Sequence, residues 1–166
     1  PNGRTHNNLG VSLRQSGDLD AAIEQYRLAI RYSPDYLKAR LNLGVALRKR
    51  GELEEAASQY EEVLEANPEF AEAHLNLANL LTETGNLEDA QKHYHQALSV
   101  RPDYSEARHA LAMLLYRDSK TEEAIAQLRE LLRMDPHSFE GHMSMASMAS
   151  KTNDPRTAID HYRSAL

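Results

Sequence analysis

Residues 37–70, LKARLNLGVALRKRGELEEAASQYEEVLEANPEF, decide the fold, because a shift of 34 residues in either direction lays them on a copy of themselves. Pro34, Pro68, Pro102 and Pro136 follow this spacing, as do Ala22, Ala56, Ala90, Ala124 and Ala158. A third series, Gly10, Gly44, Ala78, Ala112 and Ala146, always carries a small residue. Self-similarity at such a period marks a repeat architecture in which each unit buries only its neighbours' faces.

Within the unit the pattern predicts two helices. Leu43 and Leu47 lie four apart on one face, as Leu9 and Leu13 do in the first copy and Leu77 and Leu81 in the third. Gly51 then interrupts, matched by Gly17 and Gly85, and a second helix carries Ala56 and Tyr60, matched by Ala22 with Tyr26 and Ala90 with Tyr94. In the first copy Asp18 is the expected N-cap of that second helix, which is read around Ala21 to Tyr32. The proline ends it, since the residue before a proline is biased away from helical backbone. Close approach of the two helices is expected where Gly10 or Gly44 faces Ala22 or Ala56.

Residues 105–138 depart from the consensus, with Ser119 at the turn-glycine position, Leu128 at the tyrosine position and Leu131 at a position otherwise small. Residues 139–166 form a fifth, incomplete unit with Met145, Ala149 and Asn153 where Leu, Leu and Gly stood, and Pro155 starting its last helix. The expectation is a single all-α array over 1–166, with repeats at about 3–36, 37–70, 71–104, 105–138 and 139–166 and ten helices in all.

At Gly44, Gly51, Ala56, Tyr60 and Pro68 and their copies, the chain resembles the tetratricopeptide repeat (TPR) family. The resemblance implies an α-solenoid, a right-handed superhelix of helix-turn-helix units whose first helices line a concave groove. It also implies a binding or scaffolding role without catalysis. One position departs from the family pattern: its early tryptophan is replaced by His6, Arg40, His74, Arg108 and His142, which changes what lines the first-helix surface.

Composition narrows the partner. A net charge of −6 argues against nucleic acid or an anionic membrane surface. No run of 18 apolar residues is present, so no membrane insertion is expected. Without cysteine there is no thiolate nucleophile or cysteine-held metal. His93 and His95 point to different sides of a helix and make a poor metal pair, and no phosphate loop or nucleophile elbow occurs. No cofactor is expected. The chain is expected to be soluble, cytoplasmic rather than periplasmic, and cut from something longer.

The partner expected is a protein or peptide. Asn8, Asn42 and Asn76 share one repeat position in the first helix, and Asn79 lies a turn beyond Asn76. Each amide offers a carbonyl and two N–H donors, which suits a peptide backbone. With helices roughly 8–10 Å apart and an extended chain rising about 3.3 Å per residue, one amide would meet about every third residue. The arrangement resembles the asparagine ladder of the O-GlcNAc transferase superhelix, and it fades at Ala110 and Ser144. The alternative is a row of solvated polar side chains.

Charge is graded along the same face. Arg4, Arg14, Lys38, Arg48 and Lys49 come first, then Glu72, Glu83, Glu106 and Glu140; this fits either a scattered, solvated charged surface or a ligand whose acidic part lies over the first two repeats. Leu41, Val45, Leu75, Met113, Tyr116, Phe139 and Met143 are read as inner-face or packing residues. The family's carboxylate clamp for chaperone tails is absent, because Asn7, Val11, Glu72 and Asn76 stand at its first-pair and basic positions. Two other roles remain open: a substrate-selecting region of a larger enzyme such as a glycosyltransferase, and a scaffold that self-associates through an uncapped C-terminal end.

Overall fold

The computed structural model describes residues 2–152 and 154–166, so Asn153, the expected fifth turn position, lies outside the described residues. Among the described residues there are ten helices and no strand. They are α1 (Gly3–Ser16), α2 (Leu19–Tyr32), α3 (Leu37–Arg50), α4 (Leu53–Ala66), α5 (Ala71–Thr84), α6 (Leu87–Val100), α7 (Ser105–Arg117), α8 (Thr121–Met134), α9 (Phe139–Lys151) and α10 (Pro155–Ser164). Odd-numbered helices are the A helices of each hairpin and even-numbered ones the B helices. None is long and apolar enough to cross a membrane.

Local chemistry sets these boundaries. Gly17, Gly51 and Gly85 adopt φ of 92°, 92° and 87°, a left-handed turn that only glycine takes without strain. The residue after each closes the turn, with Asp18, Glu52 and Asn86 N–H donating to the carbonyls of Leu13, Leu47 and Leu81 at 3.0, 3.0 and 2.9 Å. Ser119 accepts the same turn at φ 60°, and Lys120 N–H donates to Leu115 at 2.9 Å. Asp18 caps α2 as expected, its carboxylate accepting from Ala21 N–H at 3.1 Å. Before Pro34 and Pro68 the chain leaves the helix through Ser33 and Asn67, at φ −144° and −145°.

The chain packs as two compact units, Pro1–Val100 and Arg101–Leu166. In the first, each A helix packs on its own B helix, and the next hairpin packs on both. The small residue of helix A makes room for a ring. A Cβ at Gly10 would stand 2.7 Å from Tyr26 Cε1, and one at Gly44 would stand 2.5 Å from Tyr60 Cε1. The glycine is therefore covered by its own repeat's tyrosine, while Ala22 and Ala56 are buried nearby. Each such ring removes roughly 150–250 Å² from water, worth several kcal/mol at about 25 cal/mol per Å².

The second unit solves the same packing differently. Leu128 fills the tyrosine position and is fully buried together with Ala112, Leu131 and Ala146. Methionines 145 and 148 fill the core of its last hairpin. Tyr162 keeps the aromatic position in α10, but there the ring is exposed.

Candidate peptide-binding face

The expected amides all fall in the first unit, on α1, α3 and α5. Asn8 is exposed, and Asn42, Asn76 and Asn79 are half-buried. Asn42 Nδ2 donates to Asn7 Oδ1 at 2.8 Å, across from α3 to α1. Asn76 Nδ2 donates to the Glu72 carbonyl at 2.8 Å, one turn back in its own helix. Asn79 Oδ1 accepts from the Tyr94 hydroxyl at 2.7 Å and so supports the core of its own hairpin. The structure thus joins Asn8, Asn7 and Asn42 into one chain of amides, and ties Asn76 and Asn79 to separate partners.

Asn7 was missed as a candidate. It is only 4 % exposed, donates to Asn8 Oδ1 at 3.4 Å and reaches the Tyr36 hydroxyl at 3.5 Å. The signal was an amide standing where Leu41 and Leu75 stand in the next two units.

The four candidate cations divide into two groups. Arg4 and Lys38 are exposed in the first turns of α1 and α3, whereas Arg48 and Lys49 occupy the last turn of α3. Ten residues of helix, about 15 Å, separate Lys38 from Arg48. Arg48 Nε donates to Glu83 Oε2 at 2.9 Å, so the basic and acidic parts of the expected gradient meet in an ion pair. Val45, Arg48, Lys49 and Glu83 line an open cleft of about 390 Å³. The Tyr60 hydroxyl lies near this pair, buried without a hydrogen-bond partner. Burial raises its pKa to about 12; Arg48 opposes that rise and Glu83 adds to it.

The residues at the family's tryptophan position do not line the A-helix surface as expected. Each turns to the B helix of its own hairpin and meets the side chain 19 residues on. His6 pairs with Gln25 at 2.8 Å, Arg40 with Gln59 at 3.3 Å, and Arg108 with Gln127 at 3.1 Å. His74 pairs with His93 and His142 with His161, both at 2.9 Å. The physical reason is reach: a polar side chain at this position, buried for His74 and His142 and half-buried for the others, must find a partner, and helix B supplies one.

Sequence profiles described as tetratricopeptide repeat match residues 7–69, 47–114 and 85–148. No curated protein matches the chain. Solved structures share its fold at low identity. The pilF protein of Pseudomonas aeruginosa superposes with a TM-score of 0.90 at 21% identity, covering 98% of this chain and 74% of that one. MamA from residue 41 onward, of Desulfovibrio magneticus RS-1, gives 0.83 at 18% identity, covering 98% and 92%. A thermophilic TPR protein of Thermus thermophilus gives 0.79 at 20% identity, covering 99% and 90%.

Proposed function

The chain belongs to the tetratricopeptide repeat family, and on that footing we propose that it is a non-catalytic interaction module that holds an extended peptide along the A-helix face of its first unit. The observation that carries this reading is the state of the amides. Asn42 and Asn76 each spend one N–H on the protein and keep Oδ1 without a partner among the described residues. Internal bonds hold the side chains in place, so a passing backbone N–H meets an acceptor already oriented. Contacts to the backbone recur whatever the peptide's side chains are, which gives affinity without strict sequence demand.

The test uses peptides selected by the chain from a random library, measured against Asn42→Ala/Asn76→Ala. Two lost backbone contacts, about 0.5–1.5 kcal/mol each, should weaken every selected peptide by roughly tenfold. Equal binding by the double variant would remove the amides from the function.

A second reading has its own observation. On α10, Ile159 is 49% and Tyr162 is 41% exposed, at the repeat positions where α2 carries Ile23 at 1% and Tyr26 at 0%. A face built to be covered favours self-association, with α10 packing on a second copy. Light scattering at several concentrations checks it: wild type should gain mass with concentration and Ile159→Glu/Tyr162→Lys should not.

A further inference from the structure

Three contacts between successive A helices share one register. Asn7 meets Asn42 at 2.8 Å and Arg48 meets Glu83 at 2.9 Å in the first unit, and His109 meets Ser144 at 2.8 Å in the second. In every case a residue faces the one 35 positions later. Moved back one repeat from Arg48–Glu83, that register sets Arg14 of α1 against Lys49 of α3. By that register the first repeat carries a lysine where the second carries the carboxylate.

The position is built as well as charged. Arg14 Nε is buried without a hydrogen-bond partner, and the buried Tyr26 hydroxyl has no partner within 3.5 Å, only the Arg14 guanidinium at longer reach. Tyr26 is wholly buried, and burial raises its pKa while hydrogen bonding to the Arg14 guanidinium, and then its charge, oppose the rise. Repeat three shows the satisfied version: Tyr94 donates to Asn79 Oδ1 at 2.7 Å and has Thr82 Oγ1 at 3.3 Å. Buried donors without partners are costly unless a ligand or solvent completes them. Among the described residues neither Arg14 nor Lys49 forms an ion pair, and the adjoining cleft adds Arg48 with only Glu83 to balance it.

We propose that Arg14 and Lys49 form a subsite for a carboxylate of the bound peptide, seated where Glu83 sits one repeat later, with the Tyr26 hydroxyl beside Arg14. The subsite rests on the reading that a peptide lies along the A-helix face, and it identifies the acidic side chain or terminus which that peptide brings. Arginine's planar fork suits a carboxylate, and Glu83 shows one held by the equivalent arginine.

The test follows arginine Nε–H resonances in the ¹⁵N-labelled chain while acetyl-Ala-Glu-Ala-amide or inorganic phosphate is added. The tripeptide should shift the Arg14 signal saturably and leave Arg48, already occupied by Glu83, nearly still. Lys49→Glu, which copies the second repeat's arrangement into the first, should abolish the response and raise the melting temperature. Lys49→Gln should weaken it at least threefold. Equal shifts at Arg14 and Arg48, a response unchanged in Lys49→Glu, or phosphate binding tenfold tighter than the tripeptide would each overturn the proposal. The tripeptide is too short to span the amides, so Asn42→Ala/Asn76→Ala should leave the Arg14 response intact. That response, retained while long peptides bind the double variant as tightly as wild type, would keep this subsite and discard the amide reading.

Discussion

Nδ1 of His74 lies 2.9 Å from Nδ1 of His93, while Nε2 of His74 lies 2.9 Å from the carbonyl oxygen of Pro68. A carbonyl oxygen only accepts, so His74 carries its proton on Nε2 and its Nδ1 is the acceptor for His93 Nδ1–H. His142, His161 and Pro136 repeat the arrangement at 2.9 and 3.0 Å. If both rings of a pair are protonated, two N–H groups point at each other and the contact breaks. The arrangement therefore tolerates one proton gain per pair and opposes the second.

Stability should consequently fall on acidification. Burial, then the neighbouring His74, lowers the pKa of His93, with Lys92 adding to the shift and Asp89 opposing it. Burial, then His142, lowers that of His161, with Asp160 opposing. Unfolded histidines take up protons near pH 6.5, and these two do so at lower pH when folded. Between those values the unfolded state binds more protons, so this contribution is complete above about pH 6.5 and is lost as pH falls through the lowered folded values. Urea midpoints across this range should show the decline, and His93→Gln/His161→Gln, which installs the residue found at positions 25, 59 and 127, should flatten it. His109, also lowered by burial, leaves a residual slope. An unchanged slope in the double variant would exonerate the pairs.

Removing a hydroxyl should matter in one repeat and not in another. Tyr60 is fully buried with its hydroxyl unpartnered, so Tyr60→Phe keeps the ring and loses only an unmet polar group. Its unfolding free energy should stay within about 0.5 kcal/mol of wild type or rise slightly. Tyr94→Phe takes away the donor that Asn79 accepts at 2.7 Å and should cost about 0.5–1.5 kcal/mol. A loss above about 1 kcal/mol for Tyr60→Phe would mean that its hydroxyl is satisfied in solution.

The hairpins were legible because their interior positions recur. A buried tyrosine, a small residue and a turn glycine that return every 34 residues leave the chain one way to pack. Ser119 was legible as a turn for the same reason. The polar contacts were harder, since each joins two series and the period shows only one at a time. Periodicity alone puts His6, Arg40, His74, Arg108 and His142 on the first-helix surface, although Gln25, Gln59, His93, Gln127 and His161 recur with them 19 residues on. The repeat puts Arg48 and Glu83 on one face, yet their pairing depends on the offset of 35 between A helices, one more than the repeat itself. Asn7 breaks a series that continues as Leu41 and Leu75, so periodicity alone marks it as an exception without naming its partner.

The fit of glycine against tyrosine predicts a coupled pair. At 2.5 Å from Tyr60 Cε1, the Cβ of Gly44→Ala forces the ring to shift, and overpacking of this kind costs about 1–3 kcal/mol. Two accommodations of an alanine are on view: Ala112 is buried with Leu128, and Ala78 with Tyr94, a ring whose hydroxyl Asn79 holds. Gly44→Ala should therefore cost less in a Tyr60→Leu background, and a double-mutant cycle by urea unfolding measures the difference. Strict additivity would show that the ring was not the obstacle.

Asn7 offers a way to change recognition from beneath the ligand. Its Oδ1 holds Asn42 Nδ2 at 2.8 Å, and the side chain is buried where the next two units carry leucine. Asn7→Leu should keep the packing, because leucine is accommodated at positions 41 and 75, but it releases the Asn42 amide to rotate. Ordering that side chain on binding then costs about 0.5–1.5 kcal/mol, and selected peptides should bind roughly three- to tenfold more weakly with the melting temperature maintained. Isothermal titration beside thermal unfolding separates the two effects. Tighter binding by Asn7→Leu would reverse the argument: the contact with Asn7 would then sequester Asn42 in the free protein rather than prepare it.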